Sequence, residues 1–183
     1  MDLPVTPAPQ RARLRASAVD LVVIWGWLGA LAGLSRLPLL RRTGYAELFR
    51  TPATADLAQF ATGVLPVWLY LLAGEAGSTH ATRGKRAAGL TVVDLGGEPP
   101  SRSRIAARAA VKLLPWQLAH LAINRAVGIG TGRRSTRLAA MGFGAALGLA
   151  GGSVALATTR SDGGALHDLA AGTRVVPAQG ARR

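Results

Sequence analysis

Apolar residues in this chain are gathered into blocks long enough to cross a bilayer, and most of the basic residues lie between the blocks. That pattern makes a membrane protein the first expectation. The first block, Ala16 to about Leu34, reads ASAVDLVVIWGWLGALAGL and holds a single charge, Asp20. A secretory signal peptide is the competing reading, with Arg11, Arg13 and Arg15 as its basic region and Ala30-Leu31-Ala32 as a cleavage site. A carboxylate inside the apolar core and further apolar blocks downstream favour a span.

The second block, Leu57 to Ala73, is about the minimum length for a crossing. Pro66 lacks a backbone donor and its ring crowds the preceding turn, so a carbonyl near Thr62 should be freed for a neighbouring hydroxyl or water. The fourth block, Leu138 to Ala157, carries no charge, and its Ala140, Gly144, Gly148 and Gly152 repeat every four residues. Small residues on one face let helix backbones approach, so this ridge reads as a packing seam.

The third block, Ile105 to Gly128, is interrupted by Arg108, Lys112, Gln117, His120, Asn124 and Arg125. Arg108, Lys112, Trp116, His120 and Asn124 follow at intervals of four and form a slowly spiralling polar stripe. Two structures fit: a helix lying in the cytoplasmic interface, or one entering the bundle with its stripe inward. A short, partly inserted helix is the preferred version.

The expected architecture is therefore an all-α membrane protein, a four-helix transmembrane bundle with the third helix inserted or interfacial. Helices are expected at about 16–36, 56–74, 105–128 and 137–158, with a cytoplasmic loop over 75–104. In that loop Leu90-Thr91-Val92-Val93 has strand character, and Gly96-Gly97 followed by Pro99-Pro100 supplies turn signals, which together suggest a small β-hairpin. Residues 1–15 read as a mobile basic N-terminus and 177–183 as a mobile tail. With four crossings, fourteen of the 22 basic residues fall on the side of the N-terminus, which places that end in the cytoplasm of a cell-membrane protein.

Composition narrows the chemistry. The chain has no cysteine, which removes disulfides, thiolate metal sites and a cysteine nucleophile together. His80, His120 and His167 stand far apart without ligand-spaced neighbours, so neither a metal nor a cofactor is expected. The stretch GEAGSTHATRGKRAAG resembles a phosphate loop but has Thr79 and Arg86 where a glycine and a Ser or Thr are required. It is either a solvated basic turn or a holder of lipid phosphate, with Arg83, Lys85, Arg86, Arg102 and Arg104 as the contacts.

His167 and Asp168 are adjacent and would point about 100° apart on a helix, with no nucleophile beside them, so an enzyme is not expected. Asp168 reads more simply as a cap for the turn that Gly172 closes.

Asp20 is the sharpest single residue, because a carboxylate in a span costs roughly 2.5 to 3.5 kcal/mol and normally faces a partner or water. Five residues beyond Arg15, it would lie only about 7 Å further along, near the cytoplasmic side. A structural pair and a functional role stand level. Arg13 is on nearly the same face but about 10.5 Å away, so Arg108 from another helix fits better as its partner.

Together these residues resemble the RDD family of bacterial membrane proteins, named for an arginine and two aspartates. The opening pattern is matched by RLRASAVDL, with Arg13, Ala16 and Asp20. A Thr-x-Gly-Lys-Arg turn leading into Gly-Leu-x-Val-Val is matched by TRGKRAAGLTVVDLGGEPPS, and Arg108 matches the arginine of the following helix. The segment LHDLAAGTRVV, with His167, Asp168, Gly172 and Thr173, is similar to the closing motif.

The resemblance covers nearly the whole chain and implies an integral membrane protein with transport of an ion or small solute as its activity. Arg13, Asp20, Arg108 and Asp168 would form its polar cluster, supported by Lys112, His120 and His167. Partners would be membrane lipids, anionic ones included, with a second copy or another membrane protein, and no nucleic acid. The alternative is a non-transporting adaptor or scaffold that binds anionic lipid or a partner through its basic loop.

Overall fold

The structure is a computed structural model that describes residues 6–38, 44–129 and 132–178. Parts of both termini read as mobile, and Arg41 and Arg42 in the charge count, lie outside those residues. Four long helices are joined by short elements: α1 (Gln10–Leu34), α2 (Pro52–Glu75), α3 (Arg83–Ala87), β1 (Leu90–Asp94), α4 (Arg102–Val127), α5 (Thr136–Thr159), α6 (Leu166–Ala171) and β2 (Thr173–Pro177). Three helices, α1, α2 and α5, are long and apolar enough to cross a membrane. The polar stripe keeps α4 out of that set. Large apolar side chains stand outward on α1 and α5, Val22 and Leu147 each 72% exposed, as lipid-facing residues do.

Helix α1 starts earlier than the apolar block, and this corrects the expectation of a mobile segment through residue 15. Pro9 stands just outside the first turn and its carbonyl accepts from the amides of Ala12 and Arg13, while Arg11, Ala12, Leu14 and Arg15 are all good helix formers. Even Ala8 is tied down, its amide donating to the carbonyl of Val175 at 3.0 Å.

The chain divides into two compact units. One comprises residues 24–67 and 113–150. Within it α2 begins at a Thr51 cap, with Pro52 in the first turn, and widens to a π turn over Phe60–Val64 just ahead of Pro66. The carbonyl of Thr62, four residues before the proline, accepts from Trp27 Nε1 at 3.0 Å. The freed carbonyl thus meets an indole instead of a hydroxyl or water.

Within this chain the Ala140, Gly144, Gly148 and Gly152 ridge is not the small face that packs. Gly144, Gly148 and Gly152 have open space around them, whereas Ala139 and Ala146 are buried and a Cβ on Gly142 would come within 2.8 Å of Ala122 Cβ. So many small residues give α5 more than one small face, and the close approach of α4 at Ala122 selects the one containing Gly142.

The other unit comprises residues 1–23, 68–112 and 151–183. Here β1 pairs antiparallel with β2, Val92 opposite Val175, and this replaces the hairpin expected inside the loop. After β1 the chain turns at Asp94, whose Oδ1 accepts from the amides of Gly96 and Glu98. It then reaches Pro99-Pro100, which carry no donors for a ladder. The β-branched run Thr173 to Val176 supplies the partner instead. Leu90 and Val175 pack with Ala8 and Ala16 as a small core.

Replacing Gly142 by Val is expected to lower the stability of the purified protein in detergent by about 1–3 kcal/mol, from overpacking against Ala122. Gly148→Ala, with open space at its Cβ, should leave the thermal unfolding midpoint in place or raise it slightly.

Candidate functional site

Within the unit formed by residues 1–23, 68–112 and 151–183, two buried polar networks face one cavity. The first is built on Asp20. Gly84 lies so close to α1 that a Cβ there would stand 2.0 Å from the carbonyl oxygen of Ala16 and 2.8 Å from the Asp20 carboxylate. No other residue permits this approach, and it lets the Gly84 amide donate to Asp20 Oδ1 at 2.8 Å. Tyr70 donates to the same oxygen at 2.6 Å, and the Thr82 hydroxyl donates to Oδ2 at 2.7 Å. Asp20 is therefore held by three neutral donors. The expected ion pair with Arg108 is not formed, because Arg108 is taken by other carboxylates.

The second network is built on Arg108, which is fully buried within the first two turns of α4. Its Nε donates to Glu75 Oε2 at 2.9 Å, and its Nη1 donates to Asp168 Oδ1 and, at 3.0 Å, to the Thr173 hydroxyl. Lys85 shares Glu75 through Oε1 at 2.6 Å. Two cations and two carboxylates thus form a closed, electrically balanced set. Asp168 also caps α6: its Oδ2 accepts from the amide of Ala165 at 3.0 Å, and Gly172 ends the helix at φ 61°. The cap and the ion pair are the same carboxylate.

The cavity encloses about 380 Å³. Its walls include Asp20, Lys85, Arg108, Lys112, His167 and Asp168, with Arg13 from α1 and Val154 and Ala157 from α5. Arg13 spends its terminal nitrogens on the carbonyls of Gly163, Asp162 and Val175, which ties the start of α1 to the chain after α5. Withdrawal from water, then the neighbouring charge of Arg108 and Lys112, holds the His167 imidazole well below its usual titration range. It is neutral at pH 7, so its 3.6 Å approach to Asp168 is no ion pair.

Several expected contacts fall elsewhere. Lys85 is buried against Glu75, which corrects its assignment to a lipid-facing set. Arg83, Arg86 and Arg102 are exposed, while Arg104, also exposed, lies 3.7 Å from Asp94. His120 belongs to the other unit, where its Nε2 accepts from Trp116 Nε1 at 3.2 Å. In that unit Asp56 accepts from Asn124 at 2.8 Å and from Arg125 at 2.6 Å.

Sequence reasoning missed Glu75 and Tyr70. Glu75 carries the signal that would have found it: an isolated carboxylate closing an apolar block, ten residues before a lysine.

The family model described as RDD family matches residues 7–172. No curated protein and no solved structure matches the chain.

The position of His167 sets the sign of one pH dependence. Its folded-state pKa is below the ordinary 6.5, so at mildly acidic pH the unfolded chain binds a proton that the folded chain does not. The stability from neutral His167 is full above about pH 6.5 and is lost as pH falls from there toward 5. The unfolding midpoint in detergent should drop over that window, and His167→Gln should flatten the drop; an unchanged slope in the variant would assign it to another group.

Proposed function

Because the chain belongs to the RDD family, with its family match running over residues 7–172, we propose that it is a multi-pass membrane protein of the cell membrane that passes an ion or small charged solute through the cavity beside Asp20, Arg108 and Asp168. The observation that carries this reading is the cavity itself, whose walls bring ionisable groups from α1, α4 and α6 together next to apolar helices. Charges in such surroundings are costly unless they are used or paired. Arg108 holds two carboxylates at once, so a proton or ligand that occupies one of them leaves the guanidinium paired with the other. The protein works as a homo-oligomer or with a partner membrane protein.

Four crossings with a cytoplasmic N-terminus accompany this reading. Gln10 in α1 donates to the carbonyl of Ala157 near the end of α5, and Arg13 donates to that of Gly163 just beyond it. If only α1, α2 and α5 crossed, the start of α1 and the end of α5 would lie on opposite sides. Contact between them supports an even number of crossings, with α4 as the fourth and its stripe turned inward.

A second reading is favoured by one observation, the exposure of Arg83, Arg86, Arg102 and Arg104. Each basic residue near an anionic surface contributes roughly 1 kcal/mol, enough for an adaptor that holds acidic lipid or an acidic partner.

The native chain has no cysteine, so single cysteines at Ser78, Thr136 and Ser161 report sidedness directly. With an impermeant thiol reagent on intact cells, four crossings give the same result at Ser78 and Ser161 and the opposite at Thr136; agreement between Ser78 and Thr136 instead means three.

Flux is tested in proteoliposomes carrying gradients of sodium, potassium, protons, chloride or phosphate. One gradient should collapse faster than in empty vesicles, and Asp20→Asn should slow it by about tenfold, the loss of one charge-assisted contact. If Asp20→Asn leaves both folding and flux unchanged, transport through this cavity is wrong and the adaptor reading takes its place.

A further inference from the structure

The donors and acceptors around the cavity do not balance, and the imbalance has a sign. Every carboxylate oxygen in the two networks is engaged. Asp20 accepts at both oxygens, Glu75 accepts from Lys85 and Arg108, and Asp168 accepts from Arg108 and the amide of Ala165. A cation entering here would have to displace a donor already in place. On the other side of the account, Lys112 makes no hydrogen bond or ion pair among the described residues, and Arg13 Nε is buried without a partner. The carbonyls that hold the rest of Arg13 carry no net charge to offset it. Arg13, Lys85, Arg108 and Lys112 thus face three carboxylates, Asp20, Glu75 and Asp168, so one positive charge is left over.

We infer that this cavity is an oxyanion site, in which a phosphate-type group is met by Lys112 beside the positively charged guanidinium of Arg13. It rests on the reading that the cavity faces a ligand, and it adds the sign of that ligand's charge; it does not depend on transport. At pH 7 the Lys112 ammonium, on a cavity wall that also carries the charges of Lys85 and Arg108, gains from an anion. His167, neutral at that pH, offers a polar wall without a further charge.

A cavity of about 380 Å³ is several times larger than a bare phosphate, and beside the polar Gln10, Ser17, Ser153 and Thr158 its walls include apolar Leu14, Leu90, Val154, Ala157 and Val175. Leu14 and Val154 are 68% and 63% exposed and belong to two of the helices able to cross a membrane. An oxyanion that carries an apolar tail would fill the site, with its charged group inside and its tail over Leu14 and Val154. The same donors also accept a free oxyanion.

The test uses the purified full chain in a neutral detergent at pH 7 and constant ionic strength. Thermal unfolding is followed against dioctanoyl phosphatidylglycerol, dioctanoyl phosphatidylcholine or inorganic phosphate. Phosphatidylglycerol or phosphate should raise the midpoint saturably and phosphatidylcholine should not. Lys112→Met should weaken the apparent affinity about tenfold while Lys112→Arg largely keeps it.

Should Lys112→Met fail to fold, Val154→Trp fills the cavity mouth from an exposed position and should abolish the shift. Stabilisation by phosphatidylglycerol alone assigns the site to a lipid headgroup, and stabilisation by phosphate that competes with the lipid assigns it to a free oxyanion. Equal shifts from both lipids with none from phosphate, or wild-type affinity in both Lys112→Met and Val154→Trp, overturn the inference. Flux without anion binding would remove this proposal alone, and anion binding without flux would remove the transport reading alone.

Discussion

A guanidinium with no access to water must find carboxylates wherever the chain can bring them, and Arg108 finds two. Withdrawing such a charge costs several kcal/mol, which only close pairing and complete hydrogen bonding return. Glu75 is the last residue of α2, Arg108 lies near the start of α4, and Asp168 lies in α6, so satisfying one side chain brings three separate parts of the sequence together. The pairing also fixes details that would otherwise be free. Thr173, the first residue of β2, accepts at its hydroxyl oxygen from the same Nη1, which sets where the strand begins relative to α4. Lys85 on Glu75 then brings in α3.

Asp20 is attached to this set by geometry, not by charge. The absent side chain of Gly84 lets α3 lie against α1, and the approach delivers a backbone donor to the carboxylate. With Thr82 and Tyr70 completing the shell, a buried carboxylate needs no arginine. This explains why a Thr-x-Gly-Lys-Arg turn is a unit: threonine and glycine serve Asp20, lysine serves Glu75, and the two arginines, Arg83 and Arg86, stay at the surface.

Much of this was legible. Apolar blocks marked α1, α2 and α5, because the length of a crossing and the scarcity of charge are properties of composition alone. Asp20, Arg108 and Asp168 stood out as charges in or beside such blocks, and the cap on α6 followed from Asp168 and Gly172. The pairings were not legible. Glu75 closes an apolar helix and reads as the first residue of a loop; only the arrival of Lys85 and Arg108 makes it a core residue. The strand at Leu90 was visible, but its partner lies more than eighty residues on, and the nearby turn signals pointed to a hairpin. The four-residue ridge on α5 does not mark the face packed within the chain for a different cause: periodicity identifies a face, and only Ala122 decides which face α4 covers.

Low dielectric surroundings make charge a quantity that must be accounted for residue by residue. On that account Glu75 and Asp168 are matched by Arg108 and Lys85, and Asp20 is satisfied by dipoles, which leaves Arg13 and Lys112 without an opposing charge at contact distance. Moving either cation into water would resolve the excess, yet Arg13 is held by three carbonyls and Lys112 projects from a helix whose neighbouring turn is pinned by Arg108. The rigidity of the balanced set is therefore what keeps the unbalanced one in place. A site in which acceptors are saturated and donors are not has a preference for anions built into its covalent order, whatever then becomes of the anion it holds.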